Sequence, residues 1–74
     1  MPKINRIKSI LTEKKLTNLW LAAQLGVDST TVSKWCTNSS QPDILTLLKI
    51  AHLLDLTIED LLDEDIKRLY IDKK

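Results

Sequence analysis

Glycine, proline, cysteine and phenylalanine are scarce in this 74-residue chain, which holds one Gly, two Pro, one Cys and no Phe. So little punctuation leaves too few tight turns for a small all-β fold. A single cysteine, Cys36, cannot close an internal disulfide, and a single histidine, His52, supplies no cluster of ligands. Neither a stapled secreted scaffold nor a zinc module is expected. The longest unbroken apolar run, Leu19 to Ala23, is far shorter than a membrane span or the apolar part of a secretory signal, and Lys3, Arg6 and Lys8 break up the N-terminus. The expectation is a cytoplasmic protein with no membrane attachment, no cofactor and no evident small-molecule ligand.

What is present is aliphatic and charged. Hydrophobic residues make up 43% of the chain and charged residues 28%, too apolar for a disordered segment and ordinary for a folded domain. Leu (14) and Ile (8) far exceed Val (2), and the excess of Leu favours helices over sheets. At this length there is room for one domain and one small core. An all-α fold is expected, with stability coming from packing alone.

The net charge of +1 argues at first against a polyanionic partner. It conceals a division. Residues 1–42 carry six basic residues against Glu13 and Asp28, a net +4, whereas residues 43–74 carry five basic residues against eight acids, a net −3. Such asymmetry is compatible with a basic binding face and an acidic back.

Ile4, Ile7, Ile10 and Leu11 recur at helical spacing, which predicts a first helix over residues 3–15. Thr17 offers a cap to a second helix over 18–25, whose apolar Leu21, Ala22 and Leu25 precede the only glycine, Gly26. Only glycine enters the left-handed conformation without steric cost, so the chain can turn abruptly there. Asp28 is the natural cap of a third helix over 29–37, because a carboxylate accepts backbone N–H bonds and suits the positive helix end. That helix is thinly apolar, with Val32, Trp35 and Cys36 among polar residues, so it buries one edge and presents the rest. Asn38 to Pro42 reads as a loop. A fourth helix over 43–54, capped by Asp43, has Ile44, Leu47, Ala51 and Leu54 as its inward stripe, leaving Leu45, Leu48 and Leu53 as surplus apolar surface. Asp55 closes it. Thr57 and Asp60 sit at capping-box spacing and open a fifth helix. The stretch 63–74 is charged but holds Ile66, Leu69 and Tyr70, and is open to either a sixth helical turn or a strand.

Two short helices joined through a glycine turn, the second polar on one side, form the helix-turn-helix layout. Leu21-Ala22, Leu25-Gly26-Val27, Thr31-Val32-Ser33, Pro42, Ile50-Ala51, Leu54 and Leu61 follow in order and at the right spacing. On these residues the chain resembles the lambda-repressor-like (Cro/repressor-type, xenobiotic-response-element) helix-turn-helix family over roughly residues 5 to 62. The resemblance implies a compact five-helix DNA-binding domain over 1–62, a charged tail over 63–74 available to a dimer interface, no enzymatic activity, and transcriptional regulation by a repressor-like homodimer. The implied partner is double-stranded DNA, read in the major groove of a near-palindromic operator with half-sites about 34 Å apart.

Carried over position by position, the resemblance makes Ser29 and Thr30 readers of base edges, with Ser33 and Lys34 one turn along the same face. Lys34 bears the only charge of these and suits a guanine or a phosphate. Asn18 matches the position that clamps a backbone phosphate through its side chain and the helix N-terminus. Asp28 and Thr31 fall within the same DNA-facing set, and Thr37, Asn38, Ser39 and Lys8 are further candidate phosphate contacts. The chain departs from the family pattern in having Asn38 and Asp55 where glycine is frequent, Cys36 where glutamate is frequent, and no arginine on the third helix. With few cations, affinity from counterion release is modest for one domain, and dimerisation through the surplus leucines, Ile66, Leu69 and Tyr70 would remedy this.

Competing readings are weaker. Trp20 and Trp35 could stack on bases as in single-strand binders, but interleaved with aliphatic residues they fit core or interface packing better. Cys36 and His52 lack any orienting partner for nucleophilic chemistry. The basic first helix could touch an anionic membrane, but reads more simply as a wet face. The alternative function is a protein-interaction module on the same fold, such as an antitoxin or adaptor with weak DNA binding.

Overall fold

The computed structural model describes residues 3–70. The outermost parts of the expected domain and tail, residues 1–2 and 71–74, lie outside the described residues. Among the described residues six helices follow in order: α1 (Ile7–Glu13), α2 (Asn18–Leu25), α3 (Ser29–Cys36), α4 (Ile44–Leu54), α5 (Ile58–Leu61) and α6 (Glu64–Tyr70). The fold is all-α, with one helix more than the five expected, because the charged tail forms α6. Among the described residues the only β pairing is an isolated antiparallel bridge between Asn5 and Leu62.

That bridge corrects the expected start of the first helix. Residues 3–6 are not helical; the Arg6 N–H donates to the Leu61 carbonyl at 2.9 Å and the Asp63 N–H to the Ile4 carbonyl at 2.8 Å. Asn5 is buried and its side chain is fully used. Its Oδ1 accepts from the Ile7 N–H at 3.0 Å, and its Nδ2 donates to the Trp35 carbonyl at 2.9 Å and to Gln41 Oε1 at 2.7 Å. At the other end, α1 stops at Glu13 rather than 15: Lys15 is left-handed at φ 59°, and the Leu16 N–H reaches back to the Leu11 carbonyl at 2.8 Å.

The next elements follow local signals closely. Thr17 caps α2, its hydroxyl accepting from the Trp20 N–H at 3.0 Å, and Gly26 ends it at φ 71°. The Val27 N–H then bonds the Ala22 carbonyl at 3.0 Å, a helix-terminating arrangement in which that oxygen also accepts from the Gly26 N–H. Asp28 occupies the N-cap of α3 but makes no side-chain capping bond, so its backbone carbonyl alone receives the Thr31 and Val32 N–H groups. After α3, Asn38 turns the chain at φ 60°, a conformation that Asn tolerates better than most residues.

Asp43 caps α4, accepting from the Thr46 N–H at 2.8 Å, and Asp55 closes it at φ 58°. The inward stripe differs from expectation. Ile50, Ala51 and Leu54 are buried, whereas Ile44 is 66% exposed. Thr57 and Asp60 form a full capping box at α5, with bonds of 3.2 and 3.0 Å. In α6 acids occupy the first turn and bases the last, the order that suits a helix dipole, but no residue is buried and its ion pairs, Lys67–Glu64 and Arg68–Asp65, lie at the surface.

The core gathers Ile7, Ile10 and Leu11 from α1, Leu21 and Ala22 from α2, Val32, Trp35 and Cys36 from α3, Ile50, Ala51 and Leu54 from α4, and Leu61 from α5, with Trp20 packed partly against it. Both tryptophans are thus accounted for by packing. The pairing of α2 with α3 is the most extensive between elements, so the core fixes the very pair that the sequence patterning singles out.

Candidate nucleic-acid interface

The surface in question is built by α2, the Gly26 turn and α3. Because Val32, Trp35 and Cys36 face the core, the opposite side of α3 faces outward by helical periodicity, and Thr30, Ser33 and Lys34 are exposed there. Ser29 is half-buried at the first turn. Asn18 begins α2, and the two helices bring Asn18, Leu19, Ser29, Thr30 and Ser33 around one shallow depression. Four of these five residues are the ones the sequence marks for DNA contact. The fifth, Leu19, carries no expectation from the sequence; it is 70% exposed although it lies within the longest apolar run of the chain. Its phase explains the exposure, since Leu19 is displaced from the Leu21, Ala22 and Leu25 stripe.

Asn18 is half-buried, and its Oδ1 accepts a hydrogen bond from the Cys36 thiol at 3.4 Å. Burial pushes the Cys36 thiol above its ordinary pKa, opposed by the charge of Lys8. Lys8 is exposed. Asp28 is exposed at the start of α3, placing a negative charge beside the polar face. Thr31 is half-buried and does not line the depression. Lys34 is the only cation on α3.

Thr37 and Ser39 are exposed, their hydroxyls 2.8 Å apart, and Thr37 also donates to the Lys34 carbonyl at 3.2 Å. Asn38 must be corrected as a side-chain phosphate contact. It is buried, and its Oδ1 accepts from the Ile4 N–H at 2.8 Å, the Asn5 N–H at 2.9 Å and Gln41 Nε2 at 3.1 Å, while its Nδ2 donates to the Asn5 carbonyl at 3.1 Å. The amide that sequence position directs at a phosphate is consumed in tying the loop after α3 to the N-terminal segment. Nothing in the local pattern announces this, because its backbone partners, Ile4 and Asn5, lie more than thirty residues away.

Residues 7–61, most of the chain, match the helix-turn-helix family. The chain belongs to this family. Among solved structures, it is similar to a candidate DNA-binding protein from Bacteroides fragilis, with 47% identity, a TM-score of 0.78, and coverage of 81% of this chain and 97% of that one. A transcriptional regulator from Listeria innocua shares the fold at 24% identity and a TM-score of 0.72, over 90% of this chain and 70% of that one. No curated protein matches.

As a helix-turn-helix domain, the molecule presents its second motif helix as a polar, accessible rod on a rigid base. Among the described residues no group of His, Cys, Asp and Glu could hold a metal ion, and no helix is long and apolar enough to cross a membrane.

Proposed function

We propose that this helix-turn-helix domain binds double-stranded DNA and regulates transcription, with α3 in the major groove and the start of α2 on the phosphate backbone. The observation that carries this reading is the convergence of Asn18, Ser29, Thr30 and Ser33 on one accessible depression at the α2–α3 junction. Ser29, Thr30 and Ser33 offer hydroxyls to base edges, Lys34 reaches a guanine or a phosphate, and the Leu19 side chain suits a thymine methyl group. Asn18, Thr37, Ser39 and Lys8 supply phosphate contacts that set register without reading sequence. The family membership and the similarity to a candidate DNA-binding protein support the same conclusion. The domain over 1–62 is the DNA-binding unit of a non-enzymatic, cytoplasmic regulator.

The active form is a homodimer on a near-palindromic operator. In support, Ile44, Leu45 and Leu48 on α4 are 66%, 59% and 51% exposed, and Leu69 and Tyr70 on α6 are also exposed. So many large apolar side chains on a chain this small are the mark of an interaction surface. A second reading, a protein-docking module with weak DNA binding, is favoured by the single cation on α3 and by Asp28 beside it.

Selection of bound sequences from a random duplex pool decides between them. Enrichment of a two-fold symmetric motif supports the regulator. Retention of full DNA affinity at low salt by the Asn18→Ala, Lys34→Ala double variant removes the assigned interface.

A further inference from the structure

Asn18 and Cys36 are eighteen residues apart, yet the thiol donates to Asn18 Oδ1 at 3.4 Å, within the range of a hydrogen bond involving sulfur. Among the described residues this is the only hydrogen bond of the Asn18 side chain. A carboxamide has two unlike ends, an acceptor oxygen and a donor NH2, exchanged by a half-turn about its last torsion. A phosphate oxygen accepts only, so just one of the two orientations serves it. On an exposed asparagine nothing selects between them, and the useful one is populated only part of the time.

We propose that the Cys36 thiol is a positioning group for DNA binding, which holds the Asn18 oxygen inward and so presents the Asn18 NH2 group outward to a backbone phosphate. The inference rests on the reading of Asn18 as a phosphate contact. Three observations meet in it. The Cys36 side chain is buried on the core side of α3 while Asn18 is half-buried at the rim of the depression, so the thiol approaches from the inner side. Burial keeps the thiol protonated at neutral pH despite Lys8, and a protonated thiol donates, whereas a thiolate could only accept and would draw the NH2 inward. Finally, Asn18 stands at the first residue of α2, where backbone N–H groups already point outward, and the oriented NH2 adds to them a donor on the same side. Cys36 thereby acts on DNA without touching it.

The test is a double-mutant cycle on affinity for a random-sequence DNA duplex at low salt, where phosphate contacts dominate. Cys36→Ala is expected to weaken binding roughly two- to fivefold, the modest effect of a weak thiol hydrogen bond. In the Asn18→Ala background the same substitution is expected to change nothing. An equal loss in both backgrounds assigns Cys36 to packing alone and overturns the inference, as does an unweakened Cys36→Ala. If Asn18→Ala itself binds as the unsubstituted protein does, the phosphate reading fails first and the inference falls with it. A measurement on the unsubstituted protein avoids any variant that fails to fold: NMR is expected to show the Asn18 side-chain NH2 protons without contacts to the Cys36 β-protons. Strong contacts between them mean the amide is reversed, and the proposal is wrong.

Discussion

Replacing Asn38 tests how the recognition helix is anchored. Its side chain receives two backbone N–H groups, from Ile4 and Asn5, and donates to the Asn5 carbonyl, all from a left-handed backbone at φ 60°. In Asn38→Ala the Asn5 N–H and carbonyl lose their partners inside the protein, whereas the Ile4 N–H is near enough to the surface for water to replace the bond. An unsatisfied buried polar group costs about 1–3 kcal/mol, and alanine in the left-handed region adds about 1 kcal/mol. The expected loss is therefore about 3–7 kcal/mol, against a total stability on the order of 4–11 kcal/mol for a chain of this length. Asn38→Gly loses the same hydrogen bonds without the backbone strain, so it should be the more stable of the two by about 1 kcal/mol. Urea unfolding followed by far-UV circular dichroism measures both. A loss below about 1 kcal/mol in Asn38→Ala, or wild-type stability in Asn38→Gly, would refute the claim that this amide secures the N-terminal bridge. The salt dependence of DNA binding by folded Asn38→Gly should match that of the unsubstituted protein, since the Asn38 side chain contributes no phosphate contact.

Other outcomes follow from single features. Gly26→Ala meets no steric obstacle, since nothing lies within 4 Å of the added methyl, so only the left-handed backbone at φ 71° opposes it and thermal unfolding should show a loss of about 1 kcal/mol. Lys34→Ala should weaken binding and lower the slope of log affinity against log salt by about one, measured by anisotropy titrations; an unchanged slope removes Lys34 from the phosphates. Leu48→Glu should yield a monomer in sedimentation with an unchanged helical spectrum, and a persisting dimer would place the interface elsewhere. Backbone N–H bonds at the caps hold the Asp43 and Asp60 carboxyls below their ordinary pKa. Their stabilisation is complete above the ordinary carboxylate range and lost as pH falls through the lowered folded values, so Asp43→Asn and Asp60→Asn should flatten the acid limb of the urea midpoint.

The helix-turn-helix was legible because its determinants are local. Thr17, Gly26 and the alternation of Leu21, Ala22 and Leu25 lie within a few residues of the bonds they direct, and α2 spans the expected residues 18–25. The capping box at Thr57 and the left-handed Asp55 were legible for the same reason. What escaped was non-local or degenerate. Ile4 continues a helical period, but pairing of its segment with Leu61 to Asp63 outweighs the short-range preference. On α4 apolar residues occupy so many positions that several stripes are possible, and only packing against α2 and α5 selects Ile50 over Ile44. Leu19, exposed within an apolar run, was hidden by its neighbours.

The division of charge also takes on a physical meaning in three dimensions. The positive half contains the α2–α3 surface, but Lys34 is the only cation on α3, and Asp28 at the start of that helix opposes it. A protomer with so few cationic contacts gains little from counterion release. Pairing two protomers on one duplex doubles the number of phosphates neutralised without adding a charge to either. The apolar α4 surface suits that role because, between Ile44 and Leu54, the only ionisable side chains are Lys49 and His52, while the acids of the negative half sit at the ends of α4 and beyond. Two such faces can therefore meet without apposing rows of carboxylates.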